Sequence, residues 1–379
     1  MRKIKILQVN KLYYPEIGGI EKTLQQLSEG LNELPEIDLK VLVCQKKGRG
    51  KTELVNGVKI HRSGSVGVLS SVPISFPFLW KFKMMAKDRD IIQLHLPFPL
   101  GDLACLLSGY KGKVIAFWHS DVVKQKKWMV LYRFIMELFL KRADLILVGA
   151  QGIADGSKYL KPYLGKCKVV PFAVENQILT SGKAYLDRHG YNRKHQALRF
   201  LFVGRLVYYK GCSVLLEAMA RLNEPVVLTV VGSGDLEADL IAQCRELAIE
   251  NRVEFAGNVS SEKIKQYFEE ADVFVLPSIE RSEAFALVQL EAMAYGIPII
   301  NTNLPSGVPE VSIHMQTGYT VEPNDVEELV KAMDWMATHS DERIAMGMGA
   351  RKRVENIYTQ EQMISNSMKA YYSLLENGR

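Results

Sequence analysis

The sequence predicts an α/β protein made of two doubly wound parallel sheets. Three observations carry this. Short apolar runs alternate with longer amphipathic segments along the whole chain, the pattern of buried strands joined by crossover helices. A chain of 379 residues is longer than one hydrophobic core accommodates, so it divides. The strand–helix rhythm lapses over the polar stretch 176–197 and then restarts at Phe200. The expected division is a first domain at 1–178, a linker at 179–197, a second domain at 198–357 and a closing helix at 358–379 that crosses back to the first.

Charge and composition narrow the class. Residues 1–178 hold 28 Lys+Arg against 15 Asp+Glu, a net of +13, while 179–379 hold 20 against 27, a net of −7. A basic first half points to an anionic partner: membrane lipid, a lipid pyrophosphate or nucleic acid. Nucleic acid is disfavoured, because no recognition motif accompanies the charge. Cys44, Cys105, Cys167, Cys212 and Cys244 form no Cys-x-x-Cys pair, so neither a zinc site nor a disulfide framework is expected. The apolar part of the N-terminus is too short for a signal peptide, and no apolar run reaches a membrane span. The expectation is a cytoplasmic protein, or one peripheral on the cytoplasmic face of the inner membrane.

In the first half, Ile4–Val9 is a strand, and the loop Asn10–Gly19 leads into a helix from Ile20 to about Leu34. Gly18 and Gly19 permit close backbone approach and positive φ. Leu39–Val43 is a second strand and Lys46–Thr52 a solvated basic loop. Ile91–His95, Lys113–Trp118, Asp144–Val148 and Lys168–Val170 are further strands. Asp88-Arg89-Asp90 has the spacing of a metal-binding Asp-x-Asp, but it lies in a charged turn before a strand, and no metal is expected. Val114–Trp118 ends in His119-Ser120-Asp121, at the carboxyl edge where such sheets place ligands. Two basic, aromatic segments remain: Phe76–Lys87, with Phe78, Trp80 and Phe82, and Lys124–Arg142, with Trp128. Each reads either as a core helix with solvated cations or as a membrane-facing surface.

In the second half the strands are Phe200–Val203, Val226–Val231, Arg252–Ala256, Val273–Leu276, Pro298–Asn301 and Gly318–Val321. Gly204-Arg205 follows the first and Lys210-Gly211 opens the next helix, so both cations converge where a helix N-terminus also points. That is the make-up of a pyrophosphate clamp. Gly232-Ser233-Gly234 follows the second strand without the third glycine or the acid of a dinucleotide fingerprint, which disfavours a dehydrogenase. Gly257-Asn258-Val259 follows the third. After Val273–Leu276, Leu287, Leu290 and Ala294 repeat at helical spacing, and Gly296 stops the helix before Pro298. Glu283 then stands at the helix mouth and Glu291 eight residues on, roughly 12 Å at helical rise. Backbone N–H groups around Phe285 would lie unpaired in the first turn, ready for a phosphate or sugar oxygen. Asp325–Met336, Asp341–Asn356 and Thr359–Leu375 are helices.

Two Glu eight apart on a helix are ordinarily a surface pattern; the neighbouring residues change that reading. Glu283 and Glu291, with Leu290-Glu291-Ala292-Met293-Ala294-Tyr295-Gly296-Ile297-Pro298 around and after them, resemble the donor-site motif of the retaining glycosyltransferases of family 4. That family has the GT-B fold, two Rossmann-like domains facing across a cleft. Gly204-Arg205-Leu206 with Lys210-Gly211 resembles its Gly-Arg-Leu-x-x-x-Lys-Gly signature, and Tyr13 to Glu21 its first glycine-rich loop. The likeness spans nearly the whole chain and is strongest over 200–321. One departure stands out: the family's Glu-Gly-Phe-Gly is here Glu283-Ala284-Phe285-Ala286, whose methyl groups trim the pocket.

The resemblance implies a nucleotide-diphosphate sugar held mainly by the second domain. Glu291 would bind the ribose, Arg205 and Lys210 the leaving diphosphate, and Glu283, Ala284, Phe285, Ala286 and Leu287 the sugar. Gly18 and Gly19 would face the donor phosphate, Val259 the base, and His119 the sugar. Neither a metal nor a cofactor is implied. No side chain is an evident nucleophile, so retention would follow from same-face attack assisted by the leaving phosphate. GDP-mannose is the donor first indicated, a UDP-hexose the next. The implied acceptor is a saccharide, lipid-linked or oligosaccharide, in surface-polysaccharide or O-antigen assembly beside an anionic membrane. Two alternatives stay open: a nucleotide-sugar 2-epimerase, which needs no acceptor, and a non-catalytic sugar-nucleotide-binding subunit, which binds donor without turnover.

Overall fold

The apolar runs of the first half become one sheet. In the computed structural model, which describes residues 2–16, 18–69, 72–121, 126–193, 195–223 and 225–376 (backbone alone at 126–131 and 261), the elements follow in order. They are β1 (Ile4–Val9), α1 (Gly19–Asn32), β2 (Ile37–Cys44), β3 (Lys51–Val55), β4 (Val58–Ser63), β5 (Gly67–Leu69), β6 (Val72–Ile74) and α2 (Phe76–Ala86). Then come β7 (Ile91–Leu96), α3 (Pro99–Leu107), β8 (Lys113–Trp118), α4 (Lys126–Arg142), β9 (Leu145–Val148), α5 (Gln151–Gly156) and β10 (Cys167–Val169). The strands order as β10-β9-β8-β7-β1-β2-β4-β3, all parallel except the edge strand β3. The order reverses beside β1, whose neighbours are β2 and β7.

The second half repeats the plan. Its elements are α6 (Asn176–His189), β11 (Leu198–Val203), α7 (Cys212–Arg221), β12 (Val226–Val231), α8 (Glu237–Glu246), β13 (Val253–Gly257) and α9 (Ser261–Glu270). They continue with β14 (Val273–Leu276), α10 (Leu287–Ala294), β15 (Ile299–Thr302), α11 (Val308–Val311), β16 (Gly318–Val321), α12 (Val326–Thr338) and α13 (Ser340–Ile357). The six strands run parallel in the order β13-β12-β11-β14-β15-β16 and reverse between β11 and β14. Phe200, Phe202, Leu228 and Val273 of the sheet pack with Leu215, Leu216 and Met333 of the helices in one buried core. The last helix, α14 (Gln360–Glu376), belongs with the first sheet: contacts divide the chain into residues up to Ala173 plus those from Gln360 on, and Val174–Thr359.

Three expectations need correction. The stretch 179–197, expected as linker, is helix through His189, because Ile178, Gly182 and Leu186 bury one face of α6 within the second unit. The basic loop expected at Lys46–Thr52 runs into a strand, β3, paired antiparallel with β4. Its signal was present: Asn56-Gly57, both at positive φ, is a two-residue hairpin turn. Finally, Gly18 is extended at φ −177°, a conformation open to any residue, and Gly19 is simply the first residue of α1.

Candidate active site

The second sheet's reversal lies between β11 and β14, and open α/β sheets bind ligands at the carboxyl ends of such strands. The loops after these two strands touch. The amide of Ile279 donates to the carbonyl of Tyr209 at 2.9 Å. Gly211 stands at φ 69°, and a Cβ there would lie 1.9 Å from the Pro277 carbonyl oxygen, so only glycine lets the loops meet. Across this junction the Lys210 ammonium lies 2.5 Å from Oε2 of Glu283, with both side chains about nine-tenths buried. The Ser278 hydroxyl donates to the same oxygen at 3.3 Å. Arg205 is exposed on the same turn and donates to the Tyr209 hydroxyl at 3.0 Å.

Three carboxyl-edge loops are laced together behind this pair. Amides of Gly204, Leu206 and Gly232 donate to carbonyls of Val231, Ser233 and Gly257, each at 2.9 Å. Gly232, at φ 129°, passes so close that a Cβ would sit 2.0 Å from the Gly204 oxygen. The glycines read as a broken dinucleotide fingerprint therefore serve loop packing. Val259, half-buried, follows Gly257 before α9.

The Glu283–Glu291 segment is not one helix. Ala286 is left-handed (φ 59°, ψ 77°), so α10 begins only at Leu287 and the helical distance expected between the two acids does not apply. Phe285 likewise precedes the first turn. Its ring is buried edge-on to Tyr358, 6.0 Å between centroids, and so does not face a ligand. The carbonyl of Ala284 accepts from the Gly307 amide at 2.8 Å, and Glu291 lies half-buried on α10.

Sequence reasoning missed what fixes this loop. Gln289 and Asn301 are buried amides on the helix and on β15. Asn301 Nδ2 donates to Gln289 Oε1 at 3.1 Å and to the Val308 carbonyl at 3.0 Å, while Gln289 Nε2 donates to the Phe285 carbonyl at 3.1 Å. The signal was two amides on otherwise apolar faces, which buried backbone must satisfy.

In the first unit, His119 caps β8 and its amide donates to the Leu96 carbonyl at 3.1 Å. Its ring is buried, stacked on Phe172 (4.9 Å between centroids, 7° between planes) and on Phe117 (4.9 Å, 29°). Burial, with His95 and Lys11 nearby, holds its basicity well below the usual histidine range. Its Nε2 lies 2.9 Å from Nδ1 of buried His95, which burial brings down to about 3. Gly18 and Gly19 lie at the start of α1, over the same carboxyl edge.

Asp88 and Asp90 sit at the opposite edge. Asp90 accepts from Arg2 and from the Lys5 amide. Asp88 pairs with Arg89, whose hydrogen bond lowers it to about 2. Among the described residues no group of three or more His, Cys, Asp or Glu side chains could hold a metal, and no helix is long and apolar enough to cross a membrane. On α2, Phe78 and Phe82 are buried, while Phe76, Trp80 and Met84 face outward. The side chain of Trp128 lies outside the described residues, as do 122–125 altogether.

Residues 17–175 match the family model described as Glycosyltransferase Family 4, and residues 186–353 the one described as Glycosyl transferases group 1. The chain is 32% identical over 376 residues to the O-antigen chain mannosyltransferase C of Escherichia coli, covering 99% of this chain and 100% of that protein. This chain belongs to the family 4 glycosyltransferases. The transferase is also 31% identical to the D-rhamnosyltransferase WbpZ of Pseudomonas aeruginosa, across 94% of itself and 92% of its relative. Sucrose-phosphate synthase from Thermosynechococcus elongatus, 20% identical, superposes with a TM-score of 0.76 over 99% of this chain and 100% of its own. The fold is GT-B.

Proposed function

We propose that the transferase moves a manno-configured hexosyl group, with retention and without a metal, from a nucleotide-diphosphate sugar to a lipid-linked saccharide in surface-polysaccharide assembly. The buried Lys210–Glu283 pair at the reversal of the second sheet carries the reading. Glu283 takes one of three ammonium protons and fixes the direction of the other two, which are left for diphosphate oxygens. Arg205 supplies the second positive charge. As the bond from the sugar to the diphosphate breaks, both cations meet the charge that develops. The acceptor hydroxyl attacks from the same face and gives its proton to the departing phosphate oxygen.

The other ligand contacts follow the family pattern. Ala284, Phe285, Ala286 and Leu287 offer backbone groups to the sugar, Glu291 the ribose hydroxyls and Val259 the base; Gly18 and Gly19 approach the phosphate, and His119 a sugar hydroxyl. Relatives named for mannose and D-rhamnose favour a manno donor, since D-rhamnose is mannose lacking its 6-hydroxyl. GDP-mannose is the first candidate and a UDP-hexose the second.

A lipid-linked acceptor brings the protein to a membrane, and α2 offers a surface for it. Phe76, Trp80 and Met84, 77%, 65% and 46% exposed, recur every fourth residue, with exposed Lys83 and Lys87 on the same face and no acid on the helix. Sedimentation with phosphatidylglycerol vesicles, and its loss in a Phe76→Ser, Trp80→Ser double variant, tests this. For the donor, a thermal-shift panel of GDP-, UDP-, ADP- and dTDP-sugars in EDTA should show one nucleotide stabilising the protein. The anomeric configuration of the product, read by NMR, tests retention. A panel without any shift, repeated with Mg²⁺ and lipid, would remove the donor reading.

A further inference from the structure

Behind His119 lies a closed set of buried polar partners drawn from two neighbouring strands, β1 and β7, and the last helix. His95 Nε2 lies 3.0 Å from Gln8 Oε1. Gln8 Nε2 donates to the Tyr371 hydroxyl at 3.3 Å, and that hydroxyl donates to Gln93 Oε1 at 2.8 Å. Gln8, Gln93, His95 and Tyr371 are all fully buried. Hydrogen positions follow from these partners. With its amide nitrogen committed to Tyr371, Gln8 turns its oxygen to His95, so His95 carries its proton on Nε2. The Gln93 nitrogen, 3.4 Å from the same ring atom, is the weaker contact. A neutral His95 then has a bare Nδ1, and it is this atom that faces His119 Nε2 at 2.9 Å.

We infer that His95 is a positioning residue: gripped by Gln8, with Tyr371 closing the set behind it, it fixes His119 as the Nε2–H tautomer and leaves His119 Nδ1 as a hydrogen-bond acceptor. The stacked rings of Phe117 and Phe172 keep the imidazole from turning over. Among the described residues His119 Nδ1 has no hydrogen-bond partner. It therefore selects a ligand atom that brings its own proton, a hydroxyl rather than a ring or ether oxygen, and it delivers no proton from that nitrogen. This rests on the reading that His119 contacts the donor sugar, but the tautomer can be tested without it.

The test is two-bond ¹H–¹⁵N correlation of the ring nitrogens in ¹⁵N-histidine-labelled full-length protein, with His119 assigned by loss of its signals in His119→Asn. His95 and His119 should each show one neutral Nε2–H pattern across neutral pH. A His119 carrying its proton on Nδ1, a cationic ring or an averaged pattern overturns the inference. His95→Gln keeps an oxygen that can accept from His119 and should retain the tautomer; His95→Leu should release it to a mixture, and an unchanged pattern in the leucine variant also overturns it. If His95→Leu fails to fold, the wild-type spectrum still decides. Turnover should fall about three- to tenfold in His95→Leu, the worth of one neutral hydrogen bond, and recover in His95→Gln. A released tautomer with unchanged turnover would leave the positioning by His95 standing and remove the sugar contact assigned to His119.

Discussion

Lys210→Met should destabilise the second unit severely, and a second substitution should repair the fold but not the enzyme. At 2.5 Å and an effective dielectric of about 20, the attraction between Lys210 and Glu283 is about 7 kcal/mol, much of it offset by desolvating two ions. Removing lysine alone leaves a carboxylate nine-tenths buried with the Ser278 hydroxyl still donating to it, at an expected cost of about 3–5 kcal/mol. Glu283→Gln strands the ammonium at a similar cost. In Lys210→Met with Glu283→Gln neither charge remains, and stability should return to within about 1–2 kcal/mol of wild type, a coupling of several kcal/mol. Hydrogen exchange resolved to peptides of β11 and β14 reads this for the second unit alone. Turnover should stay lost in all three variants. Costs that simply add would refute the coupled pair, and recovered turnover in the double variant would refute the clamp.

Three further outcomes are expected. Burial raises Asp102 to about 8, with the Tyr132 hydroxyl donating to it at 2.7 Å and partly opposing the rise. The folded chain therefore keeps a proton that the unfolded chain releases between about pH 4 and 8, and stability falls as pH rises through that window by about 1.4 kcal/mol per unit. Asp102→Asn should remove this fall, so its stability relative to wild type grows toward alkaline pH in urea melts; parallel pH curves would refute it. Ala286→Gly should stabilise by up to about 1 kcal/mol, because glycine occupies the left-handed region freely, and a lower melting temperature would argue against the turn. Glu291→Ala should weaken donor binding in titration calorimetry with little loss of melting temperature, since its side chain is only half-buried.

Much of the architecture was legible because parallel strands buried on both faces are nearly continuous apolar runs. Val226–Val231 and Ile91–Leu96 announce themselves in this way. The antiparallel edge at Lys51–Ser63 did not, since an exposed strand such as β3 carries Lys51, Thr52 and Glu53 and resembles a loop in composition. At the site, Lys210 and Glu283 were both named as ligand groups, but their pairing was not foreseen. It depends on which loops flank the sheet reversal, a matter of strand order and not of local pattern. The left-handed Ala286 was hidden for a different reason. Alanine is a strong helix former, and tertiary ties through Gln289, Gly307 and Tyr358 override that preference. His95 read as the end of a strand, and nothing in the sequence around Ile91–His95 connects it to Tyr371, 276 residues further on.

That last separation bears on how the protein is made. Residues 174–359 form their sheet from one uninterrupted length of chain, whereas the first unit takes α14 from beyond it. During synthesis the strands that carry Gln8, Gln93 and His95 leave the ribosome well before Tyr371 exists. Until α14 arrives, α1 lacks the partner whose Gln360 donates to the Gln26 carbonyl, and three buried polar side chains face an empty seat. The first unit begins folding first and finishes last. Nascent chains arrested before residue 360 should hold a folded second unit beside a first whose His119 is not yet set.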